Sequence, residues 1–258
     1  MHLSLAIALR FQFADFIRHP MRLVGWLGLI TFAASTPLFA QNSDGVSSPI
    51  DSLRIYAVNV IHNRPFNQPF VGYGIYLGQG KVLTAAHVLG RWPSFVSSPR
   101  VLIAGQELPA KVIKKGSIDT IDLAILSVDE VPLPVSLRLR LNPLCKIPPR
   151  AGQNVIVVLS YGTARSQIIN PRLLPPPYRA NFTTFISDVL IAGGSGSGVF
   201  DADRKCLLGI LTSKIWRYNY RLENGRFVRD LSRNTIDIAR HFVPASEIAE
   251  FIPLEFRF

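Results

Sequence analysis

Apolar and β-branched residues recur along this chain in short runs, each broken within a few positions by glycine, proline or charge. Runs of that length and flanking composition read as strands rather than helices. Residues 54–61 form the first. Residues 72–77 and 81–84 flank Gly78-Gln79-Gly80, which reads as a tight hairpin turn. Residues 101–104, 110–114 and 123–128 continue the series, enough for one antiparallel barrel. Pro132, Pro134, Pro143, Pro148 and Pro149 then interrupt it, and prolines are poorly tolerated in central strands. Residues 154–159, 182–187, 199–200 and 207–212 resume the pattern for a second barrel, around a proline-rich surface loop at 171–177. Ser246 followed by Glu-Ile-Ala-Glu-Phe has the cap and spacing of a short final helix. The expected fold is all-β. Residues 50–130 make the N-terminal barrel, 131–150 a connector, 151–244 the C-terminal barrel, and 245–258 a helix and tail.

The first 40 residues are a separate matter. Met21-Arg22 opens a short basic stretch, residues 23–34 are a compact apolar run, and Pro37-Leu38-Phe39-Ala40 closes it. This order reads as a signal peptide, residues 21–40 of a targeting segment 1–40, cut after Ala40. Leu38 is large for its place in that site, and Ser35 is the alternative. Translation starts at Met1 with a long n-region, or at Met21. The apolar run is short for a membrane span, so an uncleaved anchor is the rival reading. The expectation is an exported protein, periplasmic or secreted, with residues 41–49 as a loose leader and no stable membrane insertion once the signal is gone.

Composition sharpens this picture in two ways. The whole chain carries a formal charge of +11. Without residues 1–40, which hold three arginines and one aspartate, 25 basic and 16 acidic side chains remain, a net of +9. Such a charge favours anionic surfaces and acidic substrates. No helix-turn-helix, zinc-finger or aromatic RNA-binding pattern accompanies it, so nucleic acid is not an expected partner. Arg217, Arg221, Arg226 and Arg229 cluster around Glu223-Asn224-Gly225. They read as a solvated hairpin, or alternatively as a contact for acidic or aromatic parts of a substrate. There are two cysteines, Cys145 and Cys206, enough for one bridge in an exported protein. Sequence alone leaves a bridge and two free thiols equally open.

The chemistry lies in three motifs. Gly193-Gly194-Ser195-Gly196-Ser197-Gly198-Val199-Phe200 sets a serine among glycines, where backbone N–H groups can converge on one point. Thr84-Ala85-Ala86-His87 stands upstream. Asp122-Leu123-Ala124-Ile125-Leu126 stands between them. A serine hydroxyl needs a base to become a nucleophile, histidine titrates in the right range, and the histidine needs an acceptor on its other nitrogen. In their order and spacing these motifs resemble the trypsin-like, chymotrypsin-fold serine peptidases of the short bacterial exported type. The resemblance covers roughly residues 50–253.

That resemblance implies two six-stranded barrels with the active site between them, and a serine endopeptidase that hydrolyses peptide bonds through an acyl-enzyme. His87 is the expected base, Asp122 the orienting acid and Ser195 the nucleophile. The backbone N–H groups of Gly193 and Ser195 are the expected oxyanion donors. His62 and His241 compete with His87, Asp119 with Asp122, and Ser197 with Ser195. The apolar pair Val199-Phe200 lies at the family's distance from Ser195 and selects it. Gly194 replaces the aspartate that digestive relatives use for activation by a freed N-terminus, so that switch is not expected here. Val189 is placed near the pocket base, Thr212 and Lys214 along its wall, and Arg240 at a far edge. A neutral base at Val189 favours apolar or small side chains. Lys214 or Arg240, if turned inward, favours acidic ones. No metal or organic cofactor is implied. The reading from a different class is a catalytically silent peptidase-fold protein that binds peptides.

Overall fold

The computed structural model describes residues 51–62, 69–90, 98–174, 176–187, 194–217, 220–229 and 236–256. The expected targeting segment, the leader, Val189 and Gly193 lie outside the described residues.

The first half contributes strands β1 (Ala57–His62), β2 (Phe70–Gly78), β3 (Lys81–Thr84), β4 (Arg100–Ile103), β5 (Gln106–Lys115) and β6 (Ala124–Val128). They close into a barrel in the order β1-β2-β3-β6-β5-β4, with antiparallel pairing throughout. The second half contributes β7 (Asn154–Leu159), β8 (Gly162–Gln167), β9 (Phe185–Ser187), β10 (Gly198–Asp201), β11 (Leu207–Arg217), β12 (Tyr220–Glu223), β13 (Arg226–Arg229) and β14 (Ile236–Pro244). Six of these form a curled antiparallel sheet, β8-β7-β10-β11-β14-β9. Its two edges meet at the isolated bridge between Ile168 and Ile186. Strands β12 and β13 are a separate hairpin, turned at Asn224 and Gly225 with φ of 49° and 75°. Asn-Gly is the pair that such a turn selects. The helices are short: α1 (Val135–Arg138), α2 (Pro176–Asn181) and α3 (Ala245–Phe251).

Several details depart from the sequence pattern. Residues 54–56 belong to a 3₁₀ turn, Asp51–Tyr56, and the strand starts only at Ala57. The proline-rich segment 171–177 holds a 3₁₀ turn and the start of α2, because proline suits the first helical positions. α3 begins at Ala245 after Pro244, so Ser246 lies inside it and does not cap it.

The core explains why the strands around the site are apolar on both faces. Tyr76, Val82 and Leu126 fill the first barrel, while Ile75, Leu83 and Ile125 point the other way. Those outward residues meet Ile156, Val158 and Phe200 of the second sheet in one shared layer. Val155, Val157 and Phe242 fill the interior of that sheet. Residues two apart on a strand share a face, so adjacent residues serve different layers. The connector is tied down by a disulfide, Cys145–Cys206, and by hydrogen bonds of Leu207 with Pro143 and Cys145.

Candidate active site

His87 owes its position to the residues around it. β3 ends at Thr84, and a 3₁₀ turn, Ala86–Leu89, follows. Ala85, Ala86, Val88 and Leu89 are all buried in the first barrel's core. Gly90, at φ 70°, ends the turn by donating its N–H to the His87 carbonyl at 3.0 Å. The imidazole, 29% exposed, is the part of this turn that reaches outward.

Asp122 enters β6 from a loop that doubles back tightly. A Cβ at Gly116 would lie 2.1 Å from the Ile121 carbonyl oxygen, so only glycine fits there. The carboxylate is 7% exposed, and both of its oxygens go to one residue. Oδ1 accepts the His87 backbone N–H at 2.9 Å, and Oδ2 pairs with His87 Nδ1 at 2.6 Å. An ionised carboxylate there holds the proton on Nδ1 and leaves Nε2 with its lone pair. Asp119, the rival acid, is exposed in a turn closed by Thr120 N–H to the Ser117 carbonyl.

Ser195 sits on a loop held from both halves of the fold. Tyr73 of β2 donates its N–H to the Ser195 carbonyl at 3.0 Å. Gly196 donates to the Leu211 carbonyl at 2.8 Å, and Leu211 donates to the Ser197 carbonyl at 2.9 Å. Gly196 has φ 90°, and a Cβ built on it would lie 1.9 Å from the Tyr73 carbonyl oxygen. That same oxygen accepts the Thr84 hydroxyl at 2.6 Å. Thr84, three residues before His87, and the serine loop therefore share one anchor, Tyr73. Tyr73 was not a sequence candidate, because it acts through backbone groups that every residue carries.

The Ser195 hydroxyl donates to the Thr212 carbonyl at 3.3 Å. In this state its described hydrogen bond goes to β11 and not to the His87 ring. The Thr212 side-chain oxygen is buried and has no hydrogen-bond partner among the described residues. Lys214 is half-buried on β11 and stands opposite Arg240 of β14. Arg240 is buried, and its guanidinium lies beside Gly194.

The competing histidines are placed differently. His62 is buried at the end of β1. His241 stacks on Phe182 at 4.1 Å between ring centroids, and its Nδ1 meets the Thr184 carbonyl at 2.9 Å. Burial pushes this imidazole down from 6.5 to about 4, against the pull of the Thr184 hydrogen bond and the Asp122 charge. Near neutral pH it is uncharged, with Nδ1–H donating to Thr184. Asp122, Thr212 and His241 line one small cavity.

The model of the trypsin-like peptidase domain family matches residues 72–210, more than half of the chain. The chain belongs to that family. It is therefore a serine-type endopeptidase, a hydrolase that acts on polypeptides. No curated protein matches it. Among solved structures it is similar to the Rv3671c protease from M. tuberculosis in its active form, at 16% identity and a TM-score of 0.54, covering 88% of this chain and 92% of that one. It is also similar to the serine endoprotease from Yersinia pestis, at 19% identity and a TM-score of 0.52, covering 78% of this chain and 62% of that one. A scabies mite inactivated protease paralogue matches at 16% identity and a TM-score of 0.53, over 77% of this chain and 92% of that one. These likenesses show the fold. Among the described residues no helix is long and apolar enough to cross a membrane.

Proposed function

We propose that this endopeptidase works through a triad of His87, Asp122 and Ser195 and a covalent acyl-enzyme. The observation that carries the reading is a buried carboxylate with both oxygens committed to one histidine. That arrangement fixes the ring's orientation and its tautomer, and it stabilises the imidazolium that forms during reaction. Rotation about the Ser195 Cα–Cβ bond carries the hydroxyl from Thr212 toward Nε2. Nε2 then takes the proton as Oγ attacks the scissile carbonyl. The Ser195 N–H, with that of Gly193, receives the oxyanion. His87 returns the proton to the leaving amine, and water releases the acyl group by the same steps in reverse order.

The substrate is a polypeptide, and the net charge left after residues 1–40 favours an acidic one. Residues 1–40 direct export, to the periplasm or beyond the cell. Residues 50–130 and 151–244 are the two working halves, joined by 131–150 and closed by 245–258. A second reading, a silent peptide-binding protein, is favoured by one observation: the serine hydroxyl rests on Thr212. Fluorophosphonate labelling separates the two. The mature protein should label at Ser195, and His87→Ala should abolish labelling. Equal labelling of a Ser195→Ala protein, or none of the parent, refutes the triad.

A further inference from the structure

Scattered apolar side chains on a folded surface need no explanation, but a concentration of them does. Eleven large hydrophobic residues are exposed among the described residues, and five of them lie in the connector: Val131, Val135, Leu139, Leu141 and Ile147. Leu139 is 80% exposed. The connector does not need these residues to hold its place. Leu133 and Leu137 are buried in the first barrel's core, and Leu144 packs against the layer between the two halves. The Leu139 N–H donates to the Val135 carbonyl at 3.1 Å, so these two side chains stand one helical turn apart on the same outward face.

Two further observations bear on the same surface. Residues 131–150 carry Arg138, Arg140, Lys146 and Arg150 and no acidic residue. Arg140, Lys146 and Arg150 are exposed and make no ion pair among the described residues. The connector also stands apart from the serine loop. β2 touches that loop at Tyr73, and near its other end Leu77 accepts the Asn142 N–H at 3.0 Å. Four residues of extended strand separate these contacts, a distance of roughly 13 Å.

We propose that the connector docks this protein on the surface of an anionic lipid bilayer. Val135, Leu139 and their exposed apolar neighbours enter the headgroup region, while Arg140, Lys146 and Arg150 pair with lipid phosphates. Apolar side chains interleaved with cations suit a boundary that is oily on one side and negatively charged on the other. Long basic side chains reach the phosphates while their stems lie along apolar surface. A second copy of this chain fits less well, because it would set the same uncompensated cations against each other. Nothing spans the bilayer in this arrangement. The inference is independent of the catalytic reading above.

The experiment mixes the mature protein with vesicles of phosphatidylcholine, alone or with an equal part of phosphatidylglycerol, and reads the bound fraction by sedimentation. Binding should require the anionic lipid and weaken with salt. Replacing Arg140, Lys146 and Arg150 together by glutamine should weaken it on the order of a hundredfold, at about fivefold per cation. Val135→Ser with Leu139→Ser should weaken it on the order of tenfold. Lys111→Gln with Arg172→Gln and Arg179→Gln removes the same charge outside the connector and should matter far less. All eight positions are exposed, so circular dichroism and fluorophosphonate labelling should match the parent. No binding to anionic vesicles, equal binding to both kinds, or an equal loss in the control overturns the inference. So does a parent dimer that the serine pair converts to monomer, or an acidic protein that binds this surface while vesicles do not. Docking without labelling refutes the triad alone, and labelling without docking refutes the docking alone.

Discussion

His241→Gln should change how stability depends on acid. In the folded protein burial holds this imidazole at about 4, against 6.5 for the free side chain. Between those values the unfolded chain binds the extra proton and the folded one does not. The sign follows: stability is full above pH 6.5 and declines as pH falls toward 4. The whole gap corresponds to about 3 kcal/mol, at 1.36 kcal/mol per pH unit, and about 2 kcal/mol of it is lost by pH 5. Glutamine carries no proton to gain, so the variant lacks this acid sensitivity. Urea unfolding of both proteins at pH 7.5 and pH 5 measures it. At a slope of about 2 kcal/mol per molar, the parent's midpoint should fall by about 1 M more than the variant's. The remaining titratable groups are the same in both proteins and cancel in the comparison. Midpoints that run parallel from pH 7.5 to 5 would show that His241 carries a proton as readily inside the fold as outside it.

Three other outcomes are expected. Gly196→Ala should abolish peptidase activity and lower the melting temperature, because its methyl would overlap the Tyr73 carbonyl at a positive φ; an active, equally stable variant contradicts the anchoring of the serine loop. Asp122→Asn should leave the fold intact and reduce kcat on the order of 10⁴-fold, as expected when the histidine adopts the wrong tautomer; circular dichroism and steady-state rates check both halves. Opening the Cys145–Cys206 disulfide, which spans a separation of 61 residues, should lower unfolding free energy by up to about 4 kcal/mol; denaturation of a double-serine variant reads it.

Much of the candidate site was legible because its proposed chemistry depends on side chains in sequence motifs. β3 runs over Lys81–Thr84, as its apolar run and glycine-rich neighbour indicate. His87 and Asp122 meet as their motifs imply. What the sequence hid has physical causes. β8, Gly162–Gln167, is an edge strand and only partly buried, so it lacks an apolar signal. β14 carries Arg240 and His241 in buried places, which breaks the pattern that a core strand normally displays. The grip of Tyr73 on the serine loop uses a peptide N–H and C=O, which no residue type announces. Arg54 to Tyr56 looked extended because apolar runs of that length do not distinguish a strand from a short turn of helix.

The apolar layer that Ile75, Leu83 and Ile125 share with Ile156, Val158 and Phe200 has a practical consequence. Dissecting the gene into two pieces would leave each product with a sticky, water-exposed sheet surface. Neither piece is expected to stay soluble alone, and co-expression of both is the route by which a split version would reassemble.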